Sequence, residues 1–243
     1  MEIRLNKFLS EAGVCSRREA DRLIESGKVT VDGKRAEMGM KITDSQVVRV
    51  GKKEIRPKNE MVLLAVNKPV GIVCTEEKRE KNNIINFLKY PTRVTYIGRL
   101  DKDSEGLLLM TNNGDIINKM MRSGNQHEKE YKVTVNKPIT PEFIEQMANG
   151  VPILDTVTRK CKVEMIGKYK FRIVLTQGLN RQIRRMCEYL GYKVTELKRV
   201  RVMNIELGNL KPGEYRKVTD DEIAELYDLI KDSSNETVKV EEI

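Results

Sequence analysis

The stretch Gly98-Arg99-Leu100-Asp101-Lys102-Asp103-Ser104-Glu105-Gly106 lies between two segments that predict strands, 92–98 and 107–111. It is therefore a loop held at both ends by a sheet. A loop on such a rigid support is a common place for catalytic and binding residues. The strand that follows begins Leu107-Leu108-Leu109-Met110, which is wholly apolar and predicts a buried position in the sheet.

The rest of residues 61–231 predicts an irregular mixture of strands and helices. Strands are predicted over 61–67, 129–135, 159–166 and 169–176, and helices over 83–89, 115–122, 141–149, 180–190 and 220–230. No regular strand-helix-strand rhythm is visible, so we expect an α+β domain in which helices flank a mainly antiparallel sheet. Residues 232–243 are polar and acidic and predict a disordered tail.

Residues 1–49 predict a separate, smaller α/β module. Apolar residues from Leu5 to Leu9 mark one helix face, and Ser16-Arg17-Arg18-Glu19 predicts a capping box that begins a second helix. A strand over 28–31 then meets Asp32-Gly33, a dipeptide typical of tight hairpin turns. Residues 50–60 contain few apolar side chains, so we interpret them as a linker or a solvated hairpin end.

Positive charge is concentrated in the first 218 residues. The whole chain carries +9, but residues 219–243 carry −7, which leaves +16 on the remainder. In the small module several bases lie at the starts of the two helices, where backbone N–H groups add to the attraction for phosphate. A merely solvated surface is the alternative. The candidate phosphate-binding bases of this module are Arg4, Lys7, Arg17, Arg18, Arg22 and Lys28.

The acidic residues of the 98–106 loop have three possible uses. A calcium loop of the EF-hand type would need a bidentate carboxylate where Asn112 stands, so calcium is disfavoured. The acids could instead form surface ion pairs with Arg99 and Lys102. The sequence Arg99-Leu100-Asp101 favours a third use, because neighbouring cations keep a carboxylate ionised for nucleophilic attack on a polyanionic substrate.

The predicted helix 180–190 presents two different faces. Asn180 is expected to cap it and Gly191 to end it. Ile183 belongs to the buried stripe, and Arg184 lies at its edge, where it can point into a cleft and pair with a carboxylate. The opposite face carries Arg181 and Arg185, and the positive surface is expected to continue through Lys193, Lys198, Arg199 and Arg201.

Several classes of protein are disfavoured by composition. The chain has one histidine, His127, so a Ser-His-Asp triad or a histidine metal site would depend on that single ring. Four widely spaced cysteines form no zinc pattern and predict reduced thiols, hence a cytoplasmic protein. No apolar run is long enough to cross a membrane. Nucleotide-cofactor motifs are also missing, so we expect neither cofactor nor metal.

Four motifs of the chain occur in a family-specific order. They are Asn67-Lys68-Pro69-Val70-Gly71; Gly98-Arg99-Leu100-Asp101 with Ser104-Glu105-Gly106-Leu107-Leu108; Lys129-Glu130-Tyr131; and Asn180-Arg181-Gln182-Ile183-Arg184-Arg185-Met186. Together they resemble the RsuA-type ribosomal RNA pseudouridine synthases, and most closely their RluF-like large-subunit branch. The first fifty residues resemble the S4 RNA-binding domain that precedes the catalytic domain in that family.

The resemblance implies a reaction and roles for particular residues. Asp101 matches the nucleophile, Tyr131 the residue that stacks on the target uracil, and Arg184 the cation that pairs with the aspartate. Arg99, Leu100 and Ile183 are expected to line the substrate pocket. The implied reaction isomerises uridine to pseudouridine in ribosomal RNA without a cofactor, and we expect a monomer.

Two alternatives remain at this point. Tyr131 could be an ordinary half-buried packing residue, because most strand tyrosines are. The whole chain could be a non-catalytic protein that binds ribosomal RNA during assembly. Asp101 argues against that second alternative, because an acid beside phosphates weakens simple binding. A DNA-binding protein is a weaker alternative, because no recognition helix is evident.

Overall fold

The structure, a computed structural model, describes residues 2–56, 60–77, 79–121 and 127–233. The chain divides into two compact units. The first comprises Met1–Val62, Tyr90–Thr95 and Thr111–Gly114, and the second comprises Leu63–Lys89, Tyr96–Met110 and Asp115–Ile243. The predicted acidic tail lies almost entirely outside the described residues. None of the described helices is long and apolar enough to cross a membrane.

The first unit contains two helices and two small sheets. Its helices are α1 (Leu5–Glu11) and α2 (Arg17–Glu25). Strand β1 (Ile3–Arg4) pairs with β4 (Lys41–Ile42). A four-stranded sheet has the order β3-β2-β5-β6, formed by β2 (Val29–Val31), β3 (Lys34–Arg35), β5 (Val48–Val50) and β6 (Lys53–Ile55).

Local sequence signals account for most of this unit. Ser16 accepts a hydrogen bond from the Glu19 amide at 3.3 Å, as the capping box predicts, whereas the Glu19 carboxylate accepts one from Arg22 at 3.1 Å. Asp32 and Gly33 both have positive φ angles, which two-residue hairpin turns require. The boundary expected after residue 49 falls inside β5. The following strand β6 pairs antiparallel with β5, so the start of the segment 50–60 fits the hairpin alternative and not the linker.

A nine-stranded sheet dominates the second unit. Its strands are β7 (Leu63–Lys68), β8 (Thr95–Ile97), β9 (Glu105–Thr111), β10 (Lys129–Val135), β13 (Lys162–Gly167), β14 (Lys170–Leu175), β15 (Val194–Val202), β16 (Ile205–Glu206) and β17 (Tyr215–Lys217). Their order is β13-β14-β10-β15-β9-β7-β17, with β8 paired to β9 and β16 paired to β15. Strand β9 pairs in parallel with β15, whereas the pairs β10–β14, β10–β15, β13–β14, β15–β16 and β7–β17 are antiparallel. The expected α+β class with a mainly antiparallel sheet is confirmed.

Helices cover parts of this sheet and complete its core. Helix α5 starts where Thr140 accepts the Phe143 amide, and α7 starts in a full capping box between Thr219 and Glu222. Phe143 and Phe171 meet edge to face in the main core at 5.4 Å between ring centroids. The helices are α3 (Ile84–Leu88), α4 (Gly114–Met121), α5 (Pro141–Asn149), α6 (Gln182–Tyr189) and α7 (Asp220–Ile230); a small hairpin joins β11 (Pro152–Ile153) to β12 (Thr156–Val157).

Strand β15 corrects the expectation that residues 193–201 are one continuous positive surface. Residues Val194–Val202, several of them charged, form a nine-residue strand inside the sheet. Arg199 is 2% exposed and therefore cannot belong to an outer surface. Arg201 forms ion pairs with Glu128 at 2.9 Å and Glu130 at 3.0 Å. The polar composition concealed the strand because the partners of Lys198 and Arg201, Glu105, Glu128 and Glu130, are far away in sequence.

Candidate active site

A cavity of about 510 Å³ lies within the second unit. The loop between β8 and β9 forms one wall, and residues of β10, β15 and the segment leading into α6 form the others. Six residues were assigned to catalysis or to the substrate pocket from the sequence, and all six line this cavity: Asp101, Tyr131, Arg184, Arg99, Leu100 and Ile183. Arg181 lines it as well.

The Asp101 loop is fixed by its backbone and by one buried side chain. The Ser104 amide donates to the Asp101 carbonyl at 3.1 Å, and the Gly71 amide donates to the Lys102 carbonyl at 2.8 Å. Leu100 is buried, and its amide donates to the Cys74 sulfur at 3.5 Å. The Asp101 side chain is 36% exposed, so it is both anchored at its backbone and accessible from the cavity.

Gly106 sets how closely the loop's outgoing strand approaches β15. It pairs with Arg199 in the parallel ladder and has a φ of +106°. A Cβ at this position would lie 2.2 Å from the Arg199 carbonyl oxygen. Glycine is therefore required both for the backbone angle and for the close approach.

A buried lysine lies near the Asp101 loop. Lys68 is 0% exposed, and its ammonium donates to the Pro69 carbonyl at 2.8 Å. Burial lowers the pKa of Lys68, and the nearby Cys74 thiol and the carboxylates of Asp101, Asp103 and Glu105 oppose that shift. Lys68 therefore supplies positive charge near the acidic loop. The sequence signal for this buried charge is the position of Lys68 at the end of a mostly apolar strand.

Helix α6 begins differently from the prediction. Its N-cap is Arg181, in a left-handed conformation with φ of 50°, and not Asn180. The Asn180 carbonyl and side-chain oxygens instead accept hydrogen bonds from Arg185 at 3.1 and 3.4 Å. The Gln182 side chain holds the preceding turn by accepting the Leu179 amide at 3.1 Å. Gly191 ends the helix region with a positive φ, as expected.

The two arginines at the start of α6 divide the contacts to the Asp101 loop. Arg181 Nη1 lies 3.6 Å from Asp101 Oδ2 and 3.4 Å from Asp103 Oδ2. Arg184 Nη2 instead donates to the Asp103 carbonyl at 2.9 Å and to Ser104 Oγ at 3.4 Å. The cation in contact with the Asp101 carboxylate is thus Arg181, and Arg184 fastens the loop backbone. Burial, followed by the charge of Arg181, lowers the pKa of Arg184.

Strand β10 contributes Tyr131 and Lys129 to the opposite wall. Tyr131 is half-buried, packs against the main core and lines the cavity. Lys129 precedes it by two residues on the strand and lines the same cavity. Burial and the charge of Arg199 lower the pKa of Lys129 to about 8. Sequence reasoning assigned no role to Lys129, although it lies within the Lys129-Glu130-Tyr131 motif.

Arg199 completes this wall from strand β15. Its Nε donates to the Leu107 carbonyl at 2.7 Å. Its Nη2 is buried and has no hydrogen-bond partner within the part of the chain that the structure describes. His127 also lines the cavity, and its Nε2 lies 3.1 Å from the Lys119 carbonyl and from Ser233 Oγ.

The other candidate RNA-binding bases are not among the residues that line this cavity. Arg185 is half-exposed on α6. Lys7 and Arg22 form helix-surface ion pairs with Glu11 at 3.7 Å and Glu19 at 3.1 Å. The other four candidate bases of the first unit, Arg4, Arg17, Arg18 and Lys28, have exposed side chains. Across residues 2–56, 60–77, 79–121 and 127–233, no cluster of acidic, histidine and cysteine side chains could hold a metal ion.

Comparison with known proteins gives consistent matches along the chain. The S4 domain model matches residues 3–48, and the RNA pseudouridylate synthase model matches residues 62–189. The dual-specificity RNA pseudouridine synthase RluF of Salmonella typhi is 57% identical over 235 residues, which are 96% of this chain and 81% of that protein. The ribosomal large subunit pseudouridine synthase B of Bacillus subtilis is 32% identical over 96% of this chain and 98% of its own length. A crystal structure of a pseudouridylate synthase, 28% identical, superposes with a TM-score of 0.68 over 92% of this chain and 99% of that one.

Proposed function

The chain belongs to the RNA pseudouridylate synthase family, and we propose that it isomerises specific uridines of ribosomal RNA, in the large subunit, to pseudouridine. The observation that carries the proposal is the cavity in which Asp101, Tyr131 and Arg181 face one space. The Bacillus subtilis relative, named for the ribosomal large subunit, supports the choice of RNA. The S4 match over residues 3–48 supports an additional RNA contact.

Asp101 is the nucleophile of the proposed reaction. Its carboxylate is accessible from the cavity, while the loop that carries it is held by the Gly71 amide and by Arg184. Arg181, at 3.6 Å, limits the orientations of the carboxylate. A carboxylate held in place can attack the target nucleotide without first reorganising its surroundings.

Tyr131 receives the target uracil once it has left the RNA stack. A uridine inside folded RNA must be unstacked before its glycosidic bond is accessible, which costs a few kcal/mol. Stacking on an aromatic ring offsets about 1–3 kcal/mol of that cost. Tyr131 is rigidly placed for this role, because it lies in the middle of β10 and its strand pairs with both β14 and β15.

Arg185 and the candidate bases of the first unit provide the phosphate contacts. Arg185 lies on α6, the helix whose first turn lines the cavity, and the S4 bases add further phosphate contacts. Such contacts position the RNA without reading its sequence. We infer that the protein acts in the cytoplasm as a monomer, which fits an RNA substrate and four free cysteines.

Mapping of modified uridines tests this function directly. Transcribed large-subunit ribosomal RNA is incubated with the protein, and pseudouridines are located by chemical modification and primer extension. We expect at least one new pseudouridine. Asp101→Asn should abolish it while leaving RNA affinity within about threefold, because the basic surface is unchanged and one repulsive charge is removed.

Asp103→Asn is the matched control, because it removes a carboxylate of the same loop that also contacts Arg181. This variant should retain activity. Pseudouridine formation by Asp101→Asn would disprove the nucleophile. RNA binding without any pseudouridine in the wild type would favour the non-catalytic assembly protein.

A second RNA substrate is the other candidate function. The Salmonella typhi relative carries the words "dual-specificity" in its name. We therefore propose that this chain also accepts a second RNA site that presents its uridine in a similar fold. Repeating the mapping on total RNA should reveal that second site, and a single modified position would oppose the proposal.

A further inference from the structure

Arg199 leaves a buried hydrogen-bond donor unused at the wall of the active-site cavity. The side chain is 2% exposed, and its Nε is committed to the Leu107 carbonyl at 2.7 Å. The Nη2 atom is buried and has no partner among the described residues. Leaving such a donor unsatisfied costs free energy, more so when the group is charged, so its retention needs an explanation.

Lys129 places a second positive charge beside this donor. It lines the same cavity, and its ammonium donates to the His127 carbonyl at 3.4 Å. Its strand neighbour Glu130 pairs with Arg201 and Arg172, so that carboxylate is already engaged. Alternation along β10 also directs Glu130 to the opposite side of the sheet from Lys129 and Tyr131. Two like charges therefore share one wall, a costly arrangement unless an anionic group is received there.

We propose that Lys129 and Arg199 form a subsite for an anionic oxygen of the pyrimidine, either O2 or O4 of the target uracil, and stabilise the charge that develops on the base during isomerisation. The proposal rests on the proposed function. Lys129 lies two residues from Tyr131, about 7 Å along the strand, which suits an ammonium at the edge of a ring stacked on that tyrosine. Asp101 approaches from the loop wall of the cavity.

Both routes open to Asp101 put negative charge on these oxygens. If the carboxylate attacks C1′, a C1′–O bond forms, the C1′–N1 bond breaks, and its electron pair leaves with the uracil as an anion shared by N1, O2 and O4. If it attacks C6, a C6–O bond forms and the C5–C6 π pair moves towards O4. The C1′–N1 bond then breaks with its pair kept by N1, which leaves a cation at C1′, and the carboxylate leaves C6 when the C5 proton is lost and the C5–C6 double bond re-forms. Donors fixed in a dry site stabilise such charge strongly, because they need no reorganisation.

The remaining steps balance without another reactant. An electron pair of the uracil forms the C1′–C5 bond, and the carboxylate is released with its own pair. C5 then loses its proton to water, and N1 gains one from water. The net change is an isomerisation, so the subsite is needed only while the base is anionic.

A double-mutant cycle tests the subsite, in which one change is made in the protein and the other in a single atom of the RNA substrate. We call it the cycle below. The substrate is an RNA hairpin containing the uridine that the wild type modifies, prepared with uridine, 2-thiouridine or 4-thiouridine at that position, or with a phosphorothioate on its 5′ side. Single-turnover rates are measured for the wild type and Lys129→Met. For Lys129→Met we expect the single-turnover rate constant at saturating protein to fall about 100-fold, the loss typical of one removed oxyanion donor. The protein concentration that gives half of this rate should change less than about threefold.

The cycle identifies the atom that Lys129 contacts. One of the two thio-uridine substitutions should slow the wild type but should not slow Lys129→Met further, because the variant has no ammonium to donate to that atom. The phosphorothioate should instead slow the wild type and the variant by the same factor. Coupling to the phosphorothioate would overturn the proposal by assigning the cations to a phosphate. Additivity for all three substitutions, or a Lys129→Met rate within about threefold of the wild type, would also overturn it.

Two controls separate this result from misfolding and from failure of the proposed function. Lys132→Met changes an exposed lysine of the same strand and should leave both rate and cycle unchanged. Lys129→Arg retains a cation and should recover at least about tenfold of the lost rate. If the wild type forms no pseudouridine in any RNA, the proposed function fails; if only the cycle is additive, the subsite alone fails.

Discussion

Lys129 is a residue at which stability and activity should oppose each other. The ordinary pKa of lysine, 10.5, falls to about 8 here, chiefly through burial. Between these values the unfolded chain binds a proton that the folded chain does not, so this group makes stability rise with pH. Below about pH 8 the folded protein holds a buried charge. A polar group retained at such a cost is typical of a functional site.

Lys129→Met should therefore stabilise the protein at pH 7 while it inactivates it. The gain is at most about 3 kcal/mol, from roughly 1.4 kcal/mol for each unit of pKa displacement. It should shrink as the pH rises from about 8 towards 10.5, where the wild-type lysine becomes neutral in both states. Urea unfolding at pH 7 and pH 9.5 measures both values.

Lys132→Met is again the matched control and should change stability by less than about 0.5 kcal/mol at either pH. A Lys129→Met protein that is less stable than the wild type at pH 7 would contradict this account. That outcome would mean that the lysine stem contributes more by packing than its ammonium costs by burial.

Arg181 and Arg184 illustrate how adjacent cations acquire different roles. The left-handed Arg181 backbone directs its side chain to the carboxylates of Asp101 and Asp103, whereas Arg184, one helical turn later, reaches the Asp103 carbonyl. The Arg184 Nε is buried without a partner in the described part of the chain. One arginine thus contacts the Asp101 carboxylate and the other holds the backbone of its loop.

At the scale of elements, the parallel pair β9–β15 joins the two walls of the cavity. Strand β9 leaves the Asp101 loop, and β15 carries Arg199 and pairs with the strand of Tyr131. The close approach depends on Gly106, where a Cβ would meet the Arg199 carbonyl. A side chain there would force the strands apart and shift Asp101 relative to Tyr131.

Gly106→Ala should accordingly lower both stability and activity. The added Cβ would clash with backbone, which cannot rotate away, and the φ of +106° adds strain of about 1–3 kcal/mol. We expect a loss of at least about 2 kcal/mol in urea unfolding and a fall in pseudouridine formation under conditions where the variant is folded.

Gly208→Ala provides the comparison for this variant. Gly208 also has a positive φ, of 58°, but a Cβ there would meet no atom within 4 Å. Its substitution should cost about 1 kcal/mol or less and leave activity unchanged. Equal losses in the two variants would show that the backbone angle, and not the approach of β15, is what matters at Gly106.

At the scale of the whole molecule, the first unit is more than an N-terminal segment. It includes Tyr90–Thr95 and Thr111–Gly114. Within it, Asn112 Oδ1 accepts the Val62 amide at 2.9 Å, and Thr111 Oγ1 donates to the Val62 carbonyl at 2.7 Å. Deleting residues 1–60 would leave these later segments without most of their unit, so charge substitutions are the cleaner way to test RNA binding by this unit.

Arg4→Gln combined with Arg18→Gln should weaken RNA binding and its dependence on salt. Removing one phosphate contact reduces the slope of log K against log salt by about 0.7–0.9. Binding to the hairpin substrate is measured between about 50 and 200 mM salt, the range over which such contacts are usually resolved. The first-order rate of bound RNA should stay unchanged, because the cavity lies in the second unit.

Lys160→Gln combined with Lys168→Gln removes the same charge from exposed positions of the second unit. This control should alter the salt slope by less than about half as much, because general electrostatic attraction is weaker than direct phosphate contact. Equal slopes for the two double variants would count against the S4 unit as a specific RNA anchor.

Local sequence signals determined much of this protein. The structure has the predicted bounds for three elements, the helices 141–149 and 220–230 and the strand 129–135. Capping threonines and regular apolar spacing act within a few residues, so the local sequence contains these signals. The family followed from motif order and the α+β class from the irregular mixture of predicted strands and helices, and both are confirmed. The sequence also predicted a role for Asp101, because a carboxylate that follows Arg99 and Leu100 is unusual in a basic chain.

Only the tertiary structure decided which partner each charged side chain meets. Strand β15 looked like a positive surface, and its burial depends on pairing with β9 and β10, far away in sequence. The shared wall of Lys129 and Arg199 arises from the same long-range pairing, and the contact of Arg181 with Asp101 also joins residues far apart in sequence. Periodicity fixes the direction of a side chain along its own element, but its electrostatic environment is set by the elements packed against it.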